Sequence, residues 1–293
     1  MARIAILADV HGNLPALEAV IRDLDGLGVD EVLLGGDLVG RGPQGSAIVA
    51  RVREKGWRSI RGNHEDYLLA FRRGDVPQEW MTAEVWSAAR WMAAELSESD
   101  ASYLESMPLS MQPEALPGVH LVHGTPESNN DGIGPWTSDG RMQRHLDSVE
   151  QSILVCAHTH RPLERRFATG TILNTGSVGL PFNRDRRAQY LVLEGRDDDI
   201  AAEFRCVDYD LAETLAIYEQ SGFLAAGGAT ARLLVLELRH AAPYLVPFMA
   251  WTQSQGRQQG AEEIEAFLGA YDPEHQREFF GSLHRPAVRR GLR

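Results

Sequence analysis

Five short apolar runs in this 293-residue sequence end in aspartate, asparagine or histidine. RIAILADVHGN delivers Asp9 and His11, and VLLGGDLVGRG delivers Asp37. WRSIRGNHE ends at Asn63 and His64, VHLVHG at His123, and SILVCAHTH at His158 and His160. A short apolar run reads as a buried strand, so a polar residue at its tip is presented at the rim of a sheet, not packed away. Carboxylate, amide and imidazole groups converging from several strand ends form the oxygen and nitrogen set that holds divalent metals in α/β enzymes. Asp37, flanked by glycines, is the most conspicuous of them.

The elements that must position these residues follow from periodicity and punctuation. Strands are expected over Arg3 to Asp9, Glu31 to Leu38 and Arg58 to Arg61. The helices between them are Leu14 to Leu27, opened by Pro15 and closed by Gly28, and Ser46 to Lys55. This alternation marks a sheet with helices on its faces. Residues 66–107 change to helices, ending in a short one capped by Ser97 that reaches Ser106. The aromatic stripe of Trp80, Trp86 and Trp91 there reads as a packing face, with a cap beside the site as the sharper alternative. Strands return at Val119 to Val122 and Ile153 to Ala157. Two hairpins follow, Leu163 to Phe167 with Thr171 to Asn174, and Gln189 to Leu193 with Ile200 to Val207. A helix over Leu211 to Gln220 leads into GFLAAGG, whose glycines suggest a boundary.

Composition narrows the function classes. A formal net charge of −12 argues against an extended nucleic-acid surface or binding to anionic membrane. A small phosphorylated substrate remains compatible, because a local cationic site overrides the global field. The two cysteines, Cys156 and Cys206, have no metal-binding or redox spacing, so reduced thiols and a cytoplasmic location are expected. The apolar run LLVLELRHAAPYLVPFMAW is interrupted by Glu237, Arg239, His240 and two prolines, too often to span a bilayer.

In order, the motifs are D9-V-H11, G36-D37-LVGR-G42, G62-N63-H64-E65, H123-G124 and A157-H158-T159-H160. Together they resemble the calcineurin-like metallophosphoesterase superfamily, from Ala2 to about Asp210. N174-TGSVG followed by RAQYLVLE is most similar to the small bacterial and archaeal branch related to diadenosine tetraphosphate hydrolases. The resemblance implies an α/β fold, a four-layer α/β/β/α sandwich of two mixed sheets flanked by helices. The catalytic domain would then span residues 1–210, with the helices of 66–107 as a cap insertion, and residues 211–293, beyond the resemblance, are read as a helical appendage. Two divalent metals are implied, one held by Asp9, His11 and His160, the other by Asn63, His123 and His158, with Asp37 bridging. A carboxylate suits the bridge because each oxygen has its own lone pairs, whereas a neutral imidazole offers one nitrogen at a time. Without thiolates, Mn²⁺ or Fe fits such a site, with Zn²⁺, Co²⁺ or Ni²⁺ as alternatives. Metal-activated hydroxide would be the nucleophile. His64 would be the general acid and Arg41 a phosphate clamp, its planar fork matched to two phosphoryl oxygens. Asn174 and Ser177 are expected to bind substrate or orient ligands, and Arg184, with Arg186 and Arg187, to reach a second phosphate or a base. Ordinary turn chemistry and a solvated charge cluster are the respective alternatives. Two positions depart from the family pattern. Gly40 stands where related phosphatases carry the aspartate that supports the catalytic histidine, and Ala157 replaces the glycine before His-X-His.

The expected activity is hydrolysis of phosphodiester or phosphomonoester bonds in small, nucleotide-like substrates. Diadenosine tetraphosphate hydrolysis, protein serine/threonine dephosphorylation and a catalytically idle scaffold are the alternatives. The segment from Ala229 carries too many apolar residues for a disordered tail, among them Leu233, Leu234, Tyr244, Phe248, Phe267, Phe279, Phe280 and Leu283. It packs on its own catalytic domain or pairs with another subunit as a homo-oligomer, and we expect the first. Truncation after Gly228 is then expected to spare metal binding and to change substrate preference or solubility.

Overall fold

The computed structural model describes residues 1–196 and 199–273. Strand β1, Ala2–Leu7, is the centre of the first sheet. It pairs in parallel with β2, Glu31–Leu34, and antiparallel with β9, Ala188–Arg196. The sheet order is β10-β9-β1-β2-β3, with β3 at Arg58–Ser59 and β10 at Asp199–Val207. The second sheet runs β4-β5-β6-β8-β7. Its strands are β4 Ser110–Met111, β5 Val119–Val122, β6 Ile153–Cys156, β7 Leu163–Phe167 and β8 Gly170–Asn174. Both sheets are mixed, so the expected α/β sandwich is the architecture observed.

The two-residue alternation of strands assigns each face. Ile4 and Ile6 of β1, Ile153 and Val155 of β6, and Leu191 and Leu193 of β9 meet in an inner core between the sheets. The intervening Ala5, Leu7, Tyr190 and Val192 face a larger core shared with helices. On the far side, Leu154, Cys156 and Ile172 pack against Met142 and Leu146 of α6, Asp139–Asp147. Helices α1 (Leu14–Leu24), α2 (Gly45–Lys55), α3 (Asn63–Arg73), α4 (Ser87–Glu95) and α5 (Glu98–Ser106) line the larger core. Ser97 accepts the Asp100 N–H in a capping box, which starts α5. The tryptophan stripe packs, with Trp80 stacked on Trp86 at 4.0 Å and Trp91 edge-on to Phe223.

The described residues close with α7 (Leu211–Gln220), α8 (Phe223–Ala226), α9 (Gly228–His240), α10 (Leu245–Ser254) and α11 (Ile264–Ala270). Helix α9 is apolar on two faces. Ala231, Leu234 and Leu238 join the larger core, while Ala229 and Leu233 join Phe248 and Phe267 in a smaller one. The expected apolar contributions of Phe279, Phe280 and Leu283 lie outside the described residues. Among the described residues no helix is long and apolar enough to cross a membrane.

Candidate metal centre

The ligand loops begin where strands stop. β1 ends at Leu7 and β2 at Leu34, so Asp9 and Asp37 stand past the strand ends in loops of their own. Backbone bonds Asp9 N–H to Gly36 O, His11 N–H to Asp37 O and Gly12 N–H to Leu38 O zip the two loops together. Asp9, His11, Asp37, His158 and His160 all have positive φ, between 51° and 66°. Aspartate and histidine tolerate this left-handed region better than most residues, and clusters of it mark functional sites. Ala157 has no positive φ, so its methyl group is accommodated where the family carries glycine.

Six side chains converge in two overlapping groups. Asp9, His11, Asp37 and His160 form one, and Asp37, His123 and His158 the other, with Asp37 common to both. In the first, His11 Nδ1 faces Val39 O and His160 Nδ1 faces Leu180 O at 2.5 Å. A carbonyl only accepts, so each Nδ1 carries the proton and each Nε2 is left with a lone pair. Those two Nε2 atoms face each other at 3.1 Å. Asp9 Oδ1 lies 3.5 Å from the second of them and is buried without a hydrogen-bond partner. In the second group His123 Nδ1 is committed to Gly35 O at 2.8 Å, and its Nε2 points at Asn63 Oδ1, 3.0 Å away. His158 Nδ1 meets the same amide oxygen at 2.9 Å. Asp37 Oδ2 sits between the groups, 3.3 Å from His123 Nε2 and 3.7 Å from His11 Nε2. Lone pairs aimed at lone pairs, beside an orphaned carboxylate oxygen, are what a cation would satisfy, so these residues fit a divalent metal.

The electrostatics agree. Burial lowers His11 to about 3 and His158 to about 4, and holds His160 well below the ordinary imidazole range, so all three are neutral ligands in waiting. Burial also opposes charge on His123, but the Asp37 carboxylate raises it to about 10, a proton that a bound cation would replace. Burial raises Asp9, with the neighbouring Asp37 charge adding to the effect.

His64 and Arg41 stand beside this cluster. His64 N–H donates to Asp37 Oδ1 at 2.9 Å, and its half-buried ring lies edge-on to His11 and Tyr67. Arg41 donates from Nε to His64 Nε2 at 3.2 Å. Gly40 provides no carboxylate for His64; its role is spatial, since a Cβ there would lie 2.4 Å from His64 Nδ1. Asn174 and Ser177 lie beside the ligand loops. Both are fully buried. Asn174 donates to Ala157 O and Thr159 Oγ1, bracing the loop that carries His158, while Ser177 donates to Asp9 O and accepts from Leu180 N–H. They support ligands, and burial keeps them from substrate. Arg184 is exposed with φ 70°, and its N–H donates to Ala241 O. Arg187 is spent on Asp185.

Two acids at the site, Glu65 and Glu237, were given no role from the sequence. Glu65 accepts the N–H groups of Asp37, Leu38, Val39 and Gly62, pinning the Asp37 loop to the start of α3. Its position three residues after Gly62, whose N–H it accepts, matches the acidic half of a capping box, the glycine having no side chain to return the bond. Glu237, from α9, is fully buried and pairs with Arg41 Nη1 at 3.0 Å. An acid alone in the apolar stretch LLVLEL was its signal.

A family model for the calcineurin-like phosphoesterase superfamily domain matches residues 2–198, and the chain belongs to that superfamily. It is 28% identical to a metallophosphoesterase from Sphaerobacter thermophilus whose crystal structure superposes with a TM-score of 0.65, covering 82% of this chain and 99% of that one. The hypothetical protein PH1004 from Pyrococcus horikoshii shares the fold, with a TM-score of 0.68 at 19% identity over 83% of this chain and 100% of its own. In sequence, the uncharacterized protein MJ0912 of Methanocaldococcus jannaschii is 25% identical over 227 residues, 71% of this chain and 88% of that protein.

Proposed function

We propose that the protein is a dinuclear metal-dependent phosphoesterase that hydrolyses mono- or diesters of small, soluble, nucleotide-like phosphates. The observation that carries this reading is the facing pair of His11 and His160 Nε2 lone pairs, 3.1 Å apart beside the orphaned Asp9 oxygen. Asp9, His11 and His160 would hold one ion, Asn63, His123 and His158 the other, and Asp37 would serve both. Bound there, a divalent pair, Mn²⁺ by preference, supplies a nucleophile from water at neutral pH and offsets the charge of the phosphoryl oxygens. The remaining work belongs to the chain. Arg41 grips the phosphoryl group through its planar fork. That grip draws the Arg41 Nε–H away from His64 Nε2, and the freed lone pair can take a proton released by the attacking water and pass it to the leaving oxygen. Cys156 and Cys206 are unpaired, which supports a reducing compartment such as the cytoplasm.

The test is chelation followed by Mn²⁺ readdition, with hydrolysis followed across phosphate monoesters, diesters and dinucleoside polyphosphates. Metal-dependent turnover of at least one class is expected. A protein that takes up no divalent ion, or takes it up and cleaves none of these, would sink the reading.

A further inference from the structure

We infer that Glu237 is a positioning residue for Arg41, so that helix α9 of the C-terminal segment completes the phosphate-binding side of the site. This role rests on the phosphoesterase reading in one respect, that Arg41 holds a phosphoryl group.

The two carboxylate oxygens of Glu237 have separate tasks. Oε1 accepts the N–H groups of Tyr244 and Leu245 at 2.8 and 2.9 Å, capping the start of α10. Oε2 accepts Arg41 Nη1 at 3.0 Å. Glu237 is fully buried and the Arg41 side chain only 13% exposed, so the pair is shielded from the screening that weakens surface ion pairs. A second C-terminal group fixes the Arg41 backbone, where φ is 61°: Tyr218 Oη donates to Arg41 O at 2.8 Å. Nη1 is therefore held by Glu237 and Nε by His64, while Nη2 makes no hydrogen bond among the described residues.

Such an arrangement does two things for phosphate binding. An arginine side chain loses rotamer entropy when it grips a ligand, and one already fixed loses less. The Arg41 charge also acts on His11, His158 and His160, so it is felt at both ligand groups. A carboxylate behind the guanidinium reduces its repulsion of cations there without occupying the face that meets phosphate.

Glu237→Gln separates this role from a structural one. The amide oxygen can still accept both backbone N–H groups, so the α10 cap survives. Its NH₂ group, however, turns a donor towards Arg41. With Mn²⁺-loaded protein titrated calorimetrically with inorganic phosphate, the variant should bind roughly tenfold more weakly than the wild type, the scale of one charge-assisted hydrogen bond. At saturating Mn²⁺ the metal content should match the wild type; breaking a buried ion pair should lower the unfolding midpoint, so binding is measured well below it. In an Arg41→Ala background the same substitution should change nothing further. Unchanged phosphate affinity, an equal loss with and without Arg41, or a wild type that binds no phosphate would each overturn the assignment. An Arg41-dependent loss in a protein that cleaves no ester would instead sink the catalytic reading and leave the Glu237 role standing. Should Glu237→Gln fail to fold, nitrogen NMR of the wild type decides. The Arg41 signal, identified by its disappearance in Arg41→Lys, must show guanidinium protons protected from exchange; exchange as fast as at exposed arginines overturns the role.

Discussion

Gly40 decides where the His64 ring can sit. Its φ of 81° is one that side chains rarely adopt, and the space a methyl group would need is filled by the imidazole. Gly40→Ala should therefore displace His64 and strain the loop by about 1–3 kcal/mol, while leaving metal content near normal. If His64 delivers the proton, poor leaving groups such as alkyl phosphates should slow more than nitrophenyl phosphate, in this variant and more strongly in His64→Ala. Equal losses for both esters would assign His64 a positioning role. Asp37→Asn probes the other side of the same loop. A neutral amide cannot balance two dications, so metal should be lost on dialysis and turnover should fall by about a hundredfold or more, the scale of removing one preorganised electrostatic group. Full activity with two ions bound would contradict the bridging role. Asp9, His11, Asp37, Asn63, His123, His158 and His160 were legible because each closes an apolar run at a spacing with little chance of arising at random. Glu237 was not, because its partner lies 196 residues away, and no local pattern encodes a contact of that span.

Elements were legible where periodicity and punctuation agreed. Leu211–Gln220 and Val119–Val122 have the bounds their patterns predict, and the β7–β8 hairpin differs only in starting β8 at Gly170. β2 is shorter than expected, stopping at Leu34 because Gly36, with φ 89°, and Asp37, with φ 54°, turn the chain out of the ladder. Hydrophobic pattern reports burial, and here burial continues past the strand through Leu38 and Val39. One tie between elements yields a pH prediction. Asp23, near the end of α1, accepts from Arg205 of β10 at 2.9 Å and from the Tyr190 hydroxyl of β9. The Arg205 hydrogen bond holds Asp23 below its ordinary value of 3.8. A carboxylate depressed in the folded state stabilises fully above that ordinary value and loses its contribution as pH falls through the folded one. Wild type should thus be more stable than Asp23→Asn at pH 7, with the gap closing in that acid range. Urea unfolding at both pH values measures it, and a gap independent of pH would refute the tie.

At the scale of the whole molecule, the C-terminal helices are built into the fold. Leu234 and Leu238 lie in the same core as Leu7 and Leu17, and Thr214 of α7 donates to Asn13, which caps α1. Burial of each such leucine is worth about 1.5–3 kcal/mol against a typical total of about 5–15. Truncation after Gly228 should therefore do more than alter solubility or preference. The shortened chain should unfold at much lower urea and scatter light as aggregate, whereas wild-type stability in it would show that these contacts carry no weight. The same closure by distant residues bears on how the protein is made. Asp9 leaves the ribosome 168 residues ahead of Ser177, whose hydroxyl its carbonyl meets, and His11 149 residues ahead of His160, which it faces. At about 5–20 residues per second the delay is on the order of ten to thirty seconds. A nascent chain therefore carries its earliest candidate ligands as scattered loops, and a cation would be captured only after the ligands of the second sheet have followed. Products terminated before His158 would lack ligands of both groups and should emerge without metal.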